Sequence, residues 1–289
     1  MDNRRREFSD LLDLSFGLSP GAHFLDDFPV WDLGLAAPGV RVFEHRDSRG
    51  LIAACGIREV DLKLGSSDGH LPHLSRVALI GAVCCHPEWR GRGLASRLIS
   101  EAVQWAKDQG VAAVFLWGSE PGLYQRQGFE WCGRQVRAPL GQVLKNMKTE
   151  IDSSERGRVH RGLTSEVFEL VCVRDRGLAM GPADWSWYSE HRNVQWYYSK
   201  RAGKATAYAA IGRGIDLVGH VHEWGGDLAD LSGILEAIHR DHPQAVWLGP
   251  PDRYPSVGPS NGEEFLCMAK VLSSSQLPGD LWFWGLDAS

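Results

Sequence analysis

The chain has 289 residues, of which 43% are hydrophobic and 23% charged, and its formal net charge is −5. This balance is that of a globular protein with one large or two medium-sized domains. The acidic charge argues against a general nucleic-acid-binding protein and mildly favours neutral or cationic substrates. No stretch approaches the ~18 apolar residues of a membrane span, and Arg4 to Arg6 precede no apolar core of a secretory signal. We therefore expect a cytoplasmic protein with no membrane partner and with its scattered cysteines reduced.

The first half of the chain alternates helix and strand signals. Residues 5–16 have the apolar spacing of a short amphipathic helix, and residues 17–31 are punctuated by Gly and Pro and rich in aromatic side chains. Strand-like runs follow at 40–44, 51–57, 59–64, 76–85, 111–117 and 129–137. A helix from Leu94 to Gly110 separates strands 76–85 and 111–117, and one helical turn, 123–127, precedes the last strand. This order predicts an α+β fold with one β-α-β crossover.

The second half repeats this order after a polar stretch near residues 145–158. We predict a first domain at 1–145 and a second at 155–289. In the second domain the patterns predict helices at 165–176 and 228–240, and strands at 195–200, 205–211, 216–223, 245–249, 265–272 and 281–285. The shared order of hairpin, apolar strand, glycines, helix and strand indicates a degenerate second copy of the first unit.

A Gly-rich turn, Arg90-Gly91-Arg92-Gly93-Leu94-Ala95-Ser96, joins a strand to a helix in the first half. Such a turn exposes backbone N–H groups at the positive end of the helix dipole, which favours a phosphate. The alternative is a turn that merely contains basic residues. A dinucleotide fingerprint fits less well, because its last Gly is absent and His86 to Arg90 separate the strand from the glycines. In the second half Gly225-Gly226-Asp227 stands at this place, and an acidic N-cap there would compete with a phosphate.

The first half resembles the GCN5-related N-acetyltransferase (GNAT) superfamily over residues 40–135. Arg90 to Ala95 match the family's acetyl-CoA signature, which is Arg or Gln, two residues, Gly, one residue, then Gly or Ala. Val83 to Trp89 look like the family's fourth strand, and Tyr124 with Gly128-Phe129 resembles its second motif. Ser119-Glu120 before Tyr124, together with the doubled unit, is similar to the enhanced intracellular survival group of multi-domain acetyltransferases.

The resemblance implies a tandem GNAT fold and an N-acetyltransferase that uses acetyl-CoA and no metal. The acetyl group would pass directly to a small-molecule amine or a protein amine. The implied cofactor-binding residues are Val83, Cys84 and Cys85 along the pantetheine arm, Arg90, Gly91, Arg92, Gly93, Leu94, Ala95 and Ser96 around the pyrophosphate, and Ser119 and Glu120 where two strands separate. Tyr124 would protonate the leaving thiolate, which a phenol with a pKa near ~10 can do. A Tyr that packs a tight turn is the alternative.

The general base stays open at this point. The candidates are Glu44, Glu59, Glu120, His86, a water chain and the C-terminal carboxylate of Ser289. The last is implied by the enhanced intracellular survival group, in which the chain terminus can do this work.

Two further features each have two interpretations. His220 and His222 lie on one face of a predicted strand, but no third ligand follows at a telling spacing, so a half-solvated strand face is favoured over a metal site. Seven tryptophans after residue 180 either belong to the core or line an acceptor pocket between the halves: Trp185, Trp187, Trp196, Trp224, Trp247, Trp282 and Trp284. For the whole chain, the alternative function is a non-catalytic coenzyme A binding or sensing protein.

Overall fold

A computed structural model describes residues 3–64, 73–148, 156–214, 216–253, 263–273 and 281–287. Its helices are α1 (Asn3–Phe16), α2 (Phe24–Asp27), α3 (Leu94–Asp108), α4 (Pro121–Gln125), α5 (Leu140–Lys148), α6 (Ser165–Cys172), α7 (Trp185–Tyr188) and α8 (Leu228–Asp241). Its strands are β1 (Val40–Asp47), β2 (Gly50–Leu64), β3 (His73–Cys85), β4 (Ala113–Leu116), β5 (Glu130–Pro139), β6 (Arg158–Arg161), β7 (Gly177–Leu178), β8 (Gln195–Arg201), β9 (Lys204–Ile211), β10 (His220–Gly226), β11 (Val246–Gly249) and β12 (Glu263–Val271). No helix in these ranges combines the length and the apolar character needed to cross a bilayer.

The described strands form one sheet in the order β1-β2-β3-β4-β12-β5-β11-β10-β9-β8-β6, and β7 pairs with β2. Neighbouring strands are antiparallel except β3 with β4 and β10 with β11. The two parallel pairs are connected through helices, α3 in the first half and α8 in the second. The predicted α+β fold, with its mixed and mostly antiparallel sheet, is confirmed.

Strand β12 comes from the end of the chain but lies within the first half of the sheet. It pairs with β4, where Val271 faces Ala113, and with β5, where Cys267 faces Cys132. Strand β5 in turn pairs with β11. A division of the chain at residues 145–155 therefore separates strands that share one sheet, and residues 149–155 themselves lie outside the described residues.

The two halves repeat one pattern, a β-hairpin followed by a bulged strand, a helix and a parallel strand. In the first half the bulge lies in β3, where Ala82 and Val83 face the single residue Cys55 and Ala82 has a φ of +50°. In the second half the bulge lies in β10, where His222 is the extra residue against β9. The bulges occur at corresponding places, just before each helix crosses over.

Helix α3 covers one face of the first-half strands. Its buried residues recur at helical spacing (Leu98, Ile99, Ala102, Val103, Ala106) and pack against strand residues such as Ile57 and Ile80. Gly110, with a φ of +72°, ends it as the glycine signal predicts. A second apolar cluster runs through both halves and includes α1, α6, α8 and the aromatic side chains of residues 281–287.

Three predicted elements differ from the structure. Residues 281–285 form no strand; they run irregularly into a turn at 285–287, and backbone N–H groups here donate to the carboxylates of Asp287 and Glu223. The strand predicted at 216–223 begins only at His220, because residues 217–220 form a turn in which His220 donates to the carbonyl of Leu217. The helix predicted at 165–176 ends at Cys172.

Candidate active site

Strands β3 and β4 separate at the centre of the first half. They pair through Ala78–Ile80 and Val114–Leu116, and beyond these residues no pairing continues. The space between them opens into a cavity of about 1240 Å³, lined by Gly81 to Cys85 on one side and Trp117 to Glu120 on the other. This is the place at which the family resemblance implies that Ser119 and Glu120 flank the cofactor.

The end of β3 is held by helix α1. The N–H of Cys85 donates to the hydroxyl of Ser15 (3.1 Å), and this hydroxyl donates back to the carbonyl of Cys85 (3.3 Å). Arg90 adds bonds to the carbonyls of Ser15 (2.6 Å) and Cys85 (3.4 Å). Val83 and Cys84 line the cavity beside it. A pantetheine arm that pairs with Cys85 therefore competes with Ser15 for these backbone groups.

The Gly-rich turn leaves the start of α3 open. Gly91 and Gly93 have φ values of +76° and +77°, a conformation that glycine adopts without strain. Gly93 is the N-cap residue and supplies no side-chain cap, so the first N–H groups of the helix lack an intrahelical acceptor. Gly91, Gly93, Leu94, Ala95 and Ser96 all line the cavity. The turn therefore presents an anion-binding helix terminus to the cavity.

Of the predicted cofactor-binding residues, Arg92 is the exception to this arrangement. Its guanidinium lies over the ring of Trp89, 4.5 Å from the centroid, and donates to the carbonyl of Glu88. It does not line the cavity. Arg92 therefore stabilises the turn from outside the cavity.

Tyr124 closes the opposite wall of the cavity. It lies in α4, only 7% exposed, and its ring meets that of Phe129 edge-on. Gly118 gives the ring its room, since a Cβ at this glycine would lie 3.0 Å from Cζ and nearer still to Cε2. Burial, and then the neighbouring Cys55 and Glu120, raise the pKa of Tyr124 to about 12. The phenol is therefore protonated at neutral pH, as a proton donor requires.

The rest of the cavity wall is largely aromatic and comes from both ends of the chain. The first half provides Phe16, Phe24, Phe28 and Trp117, and the last described segment provides Trp282, Phe283 and Trp284. The two groups touch each other, because the rings of Trp117 and Phe283 meet edge-on at 5.1 Å. Polar residues of the second half, including Arg213, Asp216 and His222, complete this side.

A buried ion cluster holds residues 284–287 against the cavity. The Asp287 carboxylate accepts from Arg174 and from the N–H groups of Leu178 (3.0 Å) and Trp284 (3.1 Å). Glu223 accepts from Arg174 (3.1 Å) and from the N–H of Leu286 (2.9 Å). Burial raises the pKa of Glu223 to about 8, although Arg174 opposes the shift. The cluster replaces the strand pairing that this segment lacks.

Comparison with known proteins finds a family match within the first half of the chain. Residues 72–132, which include the end of β3, the Gly-rich turn and Tyr124, match the family model of the acetyltransferase (GNAT) domain. The match shows that this segment of the chain is GNAT-like. The predicted resemblance to the GNAT superfamily is confirmed for these residues, and the diverging strands and open helix terminus described above lie within them. No curated protein matches the chain in sequence.

Three solved structures share the fold of almost the whole chain. A probable N-acyltransferase from Enterococcus faecalis has a TM-score of 0.65 at 16% identity, over 94% of this chain and 70% of that chain. A GCN5-related N-acetyltransferase from Anabaena variabilis has a TM-score of 0.61 at 17% identity, over 94% and 71%. Eis1 from Mycobacterium abscessus has a TM-score of 0.57 at 13% identity, over 94% and 72%. At these identities the likeness shows the fold alone.

The corresponding place in the second half of the chain is filled. Strands β10 and β11 pair only at His220–Val221 with Val246–Trp247. Beyond these pairs the rings of Trp224 and Trp247 stack at 4.4 Å, and Trp224 Nε1 donates to the carbonyl of Leu248 (3.0 Å). Asp227 caps α8 by accepting from the N–H of Asp230 (3.1 Å). The two indole rings thus occupy the gap between the strands, and the Asp227 carboxylate occupies the helix terminus. Both places stay open in the first half.

Among the candidate bases that the structure describes, only Glu120 lines the cavity. Glu44 pairs with Arg4 (2.7 Å), and Glu59 pairs with Arg76, both outside it. His86 accepts from the N–H of Glu88 at the start of the turn and also lies outside the cavity. Ser289 lies outside the described residues.

The two strand histidines make protein hydrogen bonds. His220 accepts from Arg137 at Nε2 (2.8 Å), and His222 Nε2 donates to the carbonyl of Gly212 (2.9 Å). Burial lowers the pKa of His222 to about 4, so its imidazole is neutral. Within the described residues no group of three or more His, Cys, Asp or Glu side chains could hold a metal ion.

The seven tryptophans divide between the two interpretations. Trp282 and Trp284 line the cavity, whereas Trp185, Trp187, Trp196, Trp224 and Trp247 do not and pack within the apolar cluster that runs through both halves. The sequence did not single out Ser15, Gly118, Arg213 or Asp216. Of these, Gly118 had a signal, because it ends a buried strand just before the Tyr124 motif.

Proposed function

We propose that this protein transfers an acetyl group from acetyl-CoA to an amine at a single site, in the first half of the chain. The observation that carries the proposal is one cavity with two ends. At one end the start of α3 is uncapped and lined by glycines, and at the other lies the buried, protonated hydroxyl of Tyr124. The second half, with its corresponding space filled, completes the acceptor side.

The residues fit acetyl-CoA by their chemistry. The N–H groups of Leu94, Ala95 and Ser96 would bind the pyrophosphate, since helix N-termini favour anions. A Cβ at Gly91 or Gly93 would meet no atom within 4 Å, so the backbone there leaves room for a phosphate. The pantetheine arm would run along Val83 to Cys85 towards Ser119 and Glu120, where β3 and β4 separate.

The reaction is a direct transfer. The neutral amine attacks the thioester carbonyl, and a C–N bond forms as the carbonyl becomes an oxyanion. A backbone N–H near the β3 bulge would stabilise this oxyanion. The C–S bond then breaks, and Tyr124 gives its proton to the leaving thiolate. Glu120, the candidate base that lines the cavity, would take the proton from the attacking amine.

The replacement of Tyr124 by Phe tests this proposal. Tyr124→Phe removes the proton donor and keeps the ring against Gly118, so kcat should fall by about 10²–10⁴-fold. Thiol release from acetyl-CoA with a panel of amines measures turnover, and the rise in Tm with acetyl-CoA measures binding, which should persist. Turnover that Tyr124→Phe leaves unchanged would contradict the role of Tyr124. Acetyl-CoA binding with no turnover of any amine would favour a binding or sensing protein instead.

A further inference from the structure

We infer that the acceptor is an amine with a single positive charge on an apolar, preferably aromatic, body, and that polyamines and aminoglycosides are poor acceptors. This inference rests on the proposed function and specifies its substrate class. Three observations carry it: the carboxylates of the cavity, its arginines and its aromatic walls.

Two carboxylates line the cavity within the described residues, Glu120 and Asp216. Asp216 is already paired, because Arg213 binds it through Nε (3.2 Å) and through a second nitrogen. Arg213 also donates to the carbonyl of Gly285 (2.5 Å) and lies over the ring of Phe28, 4.5 Å from its centroid. Glu120 makes no ion pair with any described residue, and its charge acts on Tyr124. The Glu120 carboxylate beside the Tyr124 hydroxyl can therefore bind one ammonium group of the acceptor.

The arginines of the cavity make further positive charges unfavourable. Arg137 and Arg213 lie on the acceptor side, and each is already engaged with a carboxylate, Glu264 for Arg137 and Asp216 for Arg213. A second ammonium group of a ligand would lose its water here and meet no unpaired carboxylate. Burying a charge without a partner is costly.

The aromatic walls favour an apolar body. Phe24 and Phe28 stack at 4.5 Å, and Trp117 and Phe283 meet at 5.1 Å, so the rings form continuous surfaces. The apolar ligand surface that they cover is removed from water, which favours binding. A hydroxyl-rich or multiply charged body gains little from such surfaces. The ammonium near Glu120 can still lie against a ring face, which attracts one cation.

Matched amines test the inference directly. Hexylamine and hexamethylenediamine have the same carbon chain and differ in one ammonium group, and phenethylamine and spermidine extend the comparison. With saturating acetyl-CoA near neutral pH, kcat/KM should be at least tenfold higher for hexylamine than for the diamine. We expect it to be highest for phenethylamine and lowest for spermidine and kanamycin.

Two exposed aromatic residues provide the variant and its control. Phe16 is 40% exposed and lines the cavity, so Phe16→Ala should raise the KM of phenethylamine by about fivefold or more without unfolding the chain. The KM of acetyl-CoA should not change. Trp131 is 42% exposed and lies outside the cavity, and Trp131→Ala should change neither constant.

The failure of this inference differs from the failure of the proposed function. If hexamethylenediamine, spermidine or kanamycin is acetylated as fast as the monoamines or faster, the inference is overturned and the transferase stands. The same holds if Phe16→Ala and Trp131→Ala act alike on phenethylamine. If no amine releases thiol although acetyl-CoA raises the Tm, the proposed function is overturned and the inference falls with it.

Discussion

The position of the Tyr124 ring depends on Gly118, a residue without a side chain. The ring lies against this glycine at the end of β4, where any side chain would occupy the space of the ring. The proposed proton donor is therefore positioned by the absence of a Cβ six residues earlier. A misplacement of about 1 Å can cost an enzyme about 10²-fold in rate.

Gly118→Ala should accordingly lower kcat by about 10–100-fold, because the phenol must move away from the thiolate. The KM of acetyl-CoA should change little, since the turn at residues 90–96 is untouched. Gly181→Ala is the control, because a Cβ there meets no atom within 4 Å. Steady-state kinetics of both variants decide the matter, and equal activity of Gly118→Ala and the wild type would contradict this placement.

The raised pKa of Tyr124 predicts the form of the pH profile. Burial favours the neutral phenol, so Tyr124 stays protonated up to a pH of about 12. From about pH 6 to 10, kcat/KM should therefore rise as the acceptor ammonium, with a pKa near ~10, loses its proton, and should show no falling limb from Tyr124. A falling limb below about pH 10 that disappears in Tyr124→Phe would contradict the raised pKa.

The sequence indicated residues that line the cavity more readily than it indicated their partners. The Gly-rich turn and Tyr124 belong to short motifs whose spacing alone identifies them. Ser15 bonds to Cys85 across 70 residues, and Arg174 bonds to Asp287 across 113. Contacts of this kind depend on the packing of distant segments, and no local pattern indicates them.

At the scale of the elements, the segment 281–287 is held by side-chain carboxylates rather than by strand pairing. It forms a wall of the cavity without belonging to any strand or helix. Its short continuous run of apolar residues resembles a buried strand, which is why the sequence favoured one. The structure instead fixes it through Asp287 and Glu223, which bind the backbone N–H groups of Trp284 and Leu286.

Asp287→Ala should destabilise the protein markedly. It leaves the buried Arg174 with one carboxylate fewer and frees two backbone N–H groups, a loss of about 3 kcal/mol. The Tm should fall by about 10 °C, and the KM of the amine should rise more than that of acetyl-CoA, because Trp284 lines the acceptor side.

An exposed ion pair gives the matched control for this prediction. Arg97 and Glu101 pair on the surface of α3 (2.9 Å), and Glu101→Ala should shift the Tm by no more than about 2 °C. Thermal unfolding followed by circular dichroism compares the two variants. Equal Tm values would contradict the anchoring role of Asp287.

At the scale of the whole molecule, the two halves complete each other. Strand β12 from the second half lies between β4 and β5 of the first, and β5 pairs with β11 of the second. The sequence predicted the repeated order of elements, because hydrophobic periodicity and glycines are local signals. It did not predict the exchange of strands, because strand order in a sheet depends on pairing between residues far apart in the chain.

The same comparison of halves explains why one site is proposed rather than two. The helix terminus of the first half is open and glycine-lined, whereas Asp227 caps that of the second. The gap between β3 and β4 forms a cavity, whereas Trp224 and Trp247 fill the gap between β10 and β11. Under the proposed function, the duplicated fold has its cofactor site in one copy and uses the other as part of the acceptor wall.

Calorimetric titration of the full chain with acetyl-CoA tests this account most directly. The wild type should bind one molecule per chain, and Gly93→Asp, which places a carboxylate at the N-cap as in the second half, should weaken binding by about 100-fold or more. Gly93→Asn, which has the same size and backbone demand without the charge, should bind more tightly than Gly93→Asp. Two molecules bound per chain, or an unchanged affinity in Gly93→Asp, would contradict a single acetyl-CoA site at the start of α3.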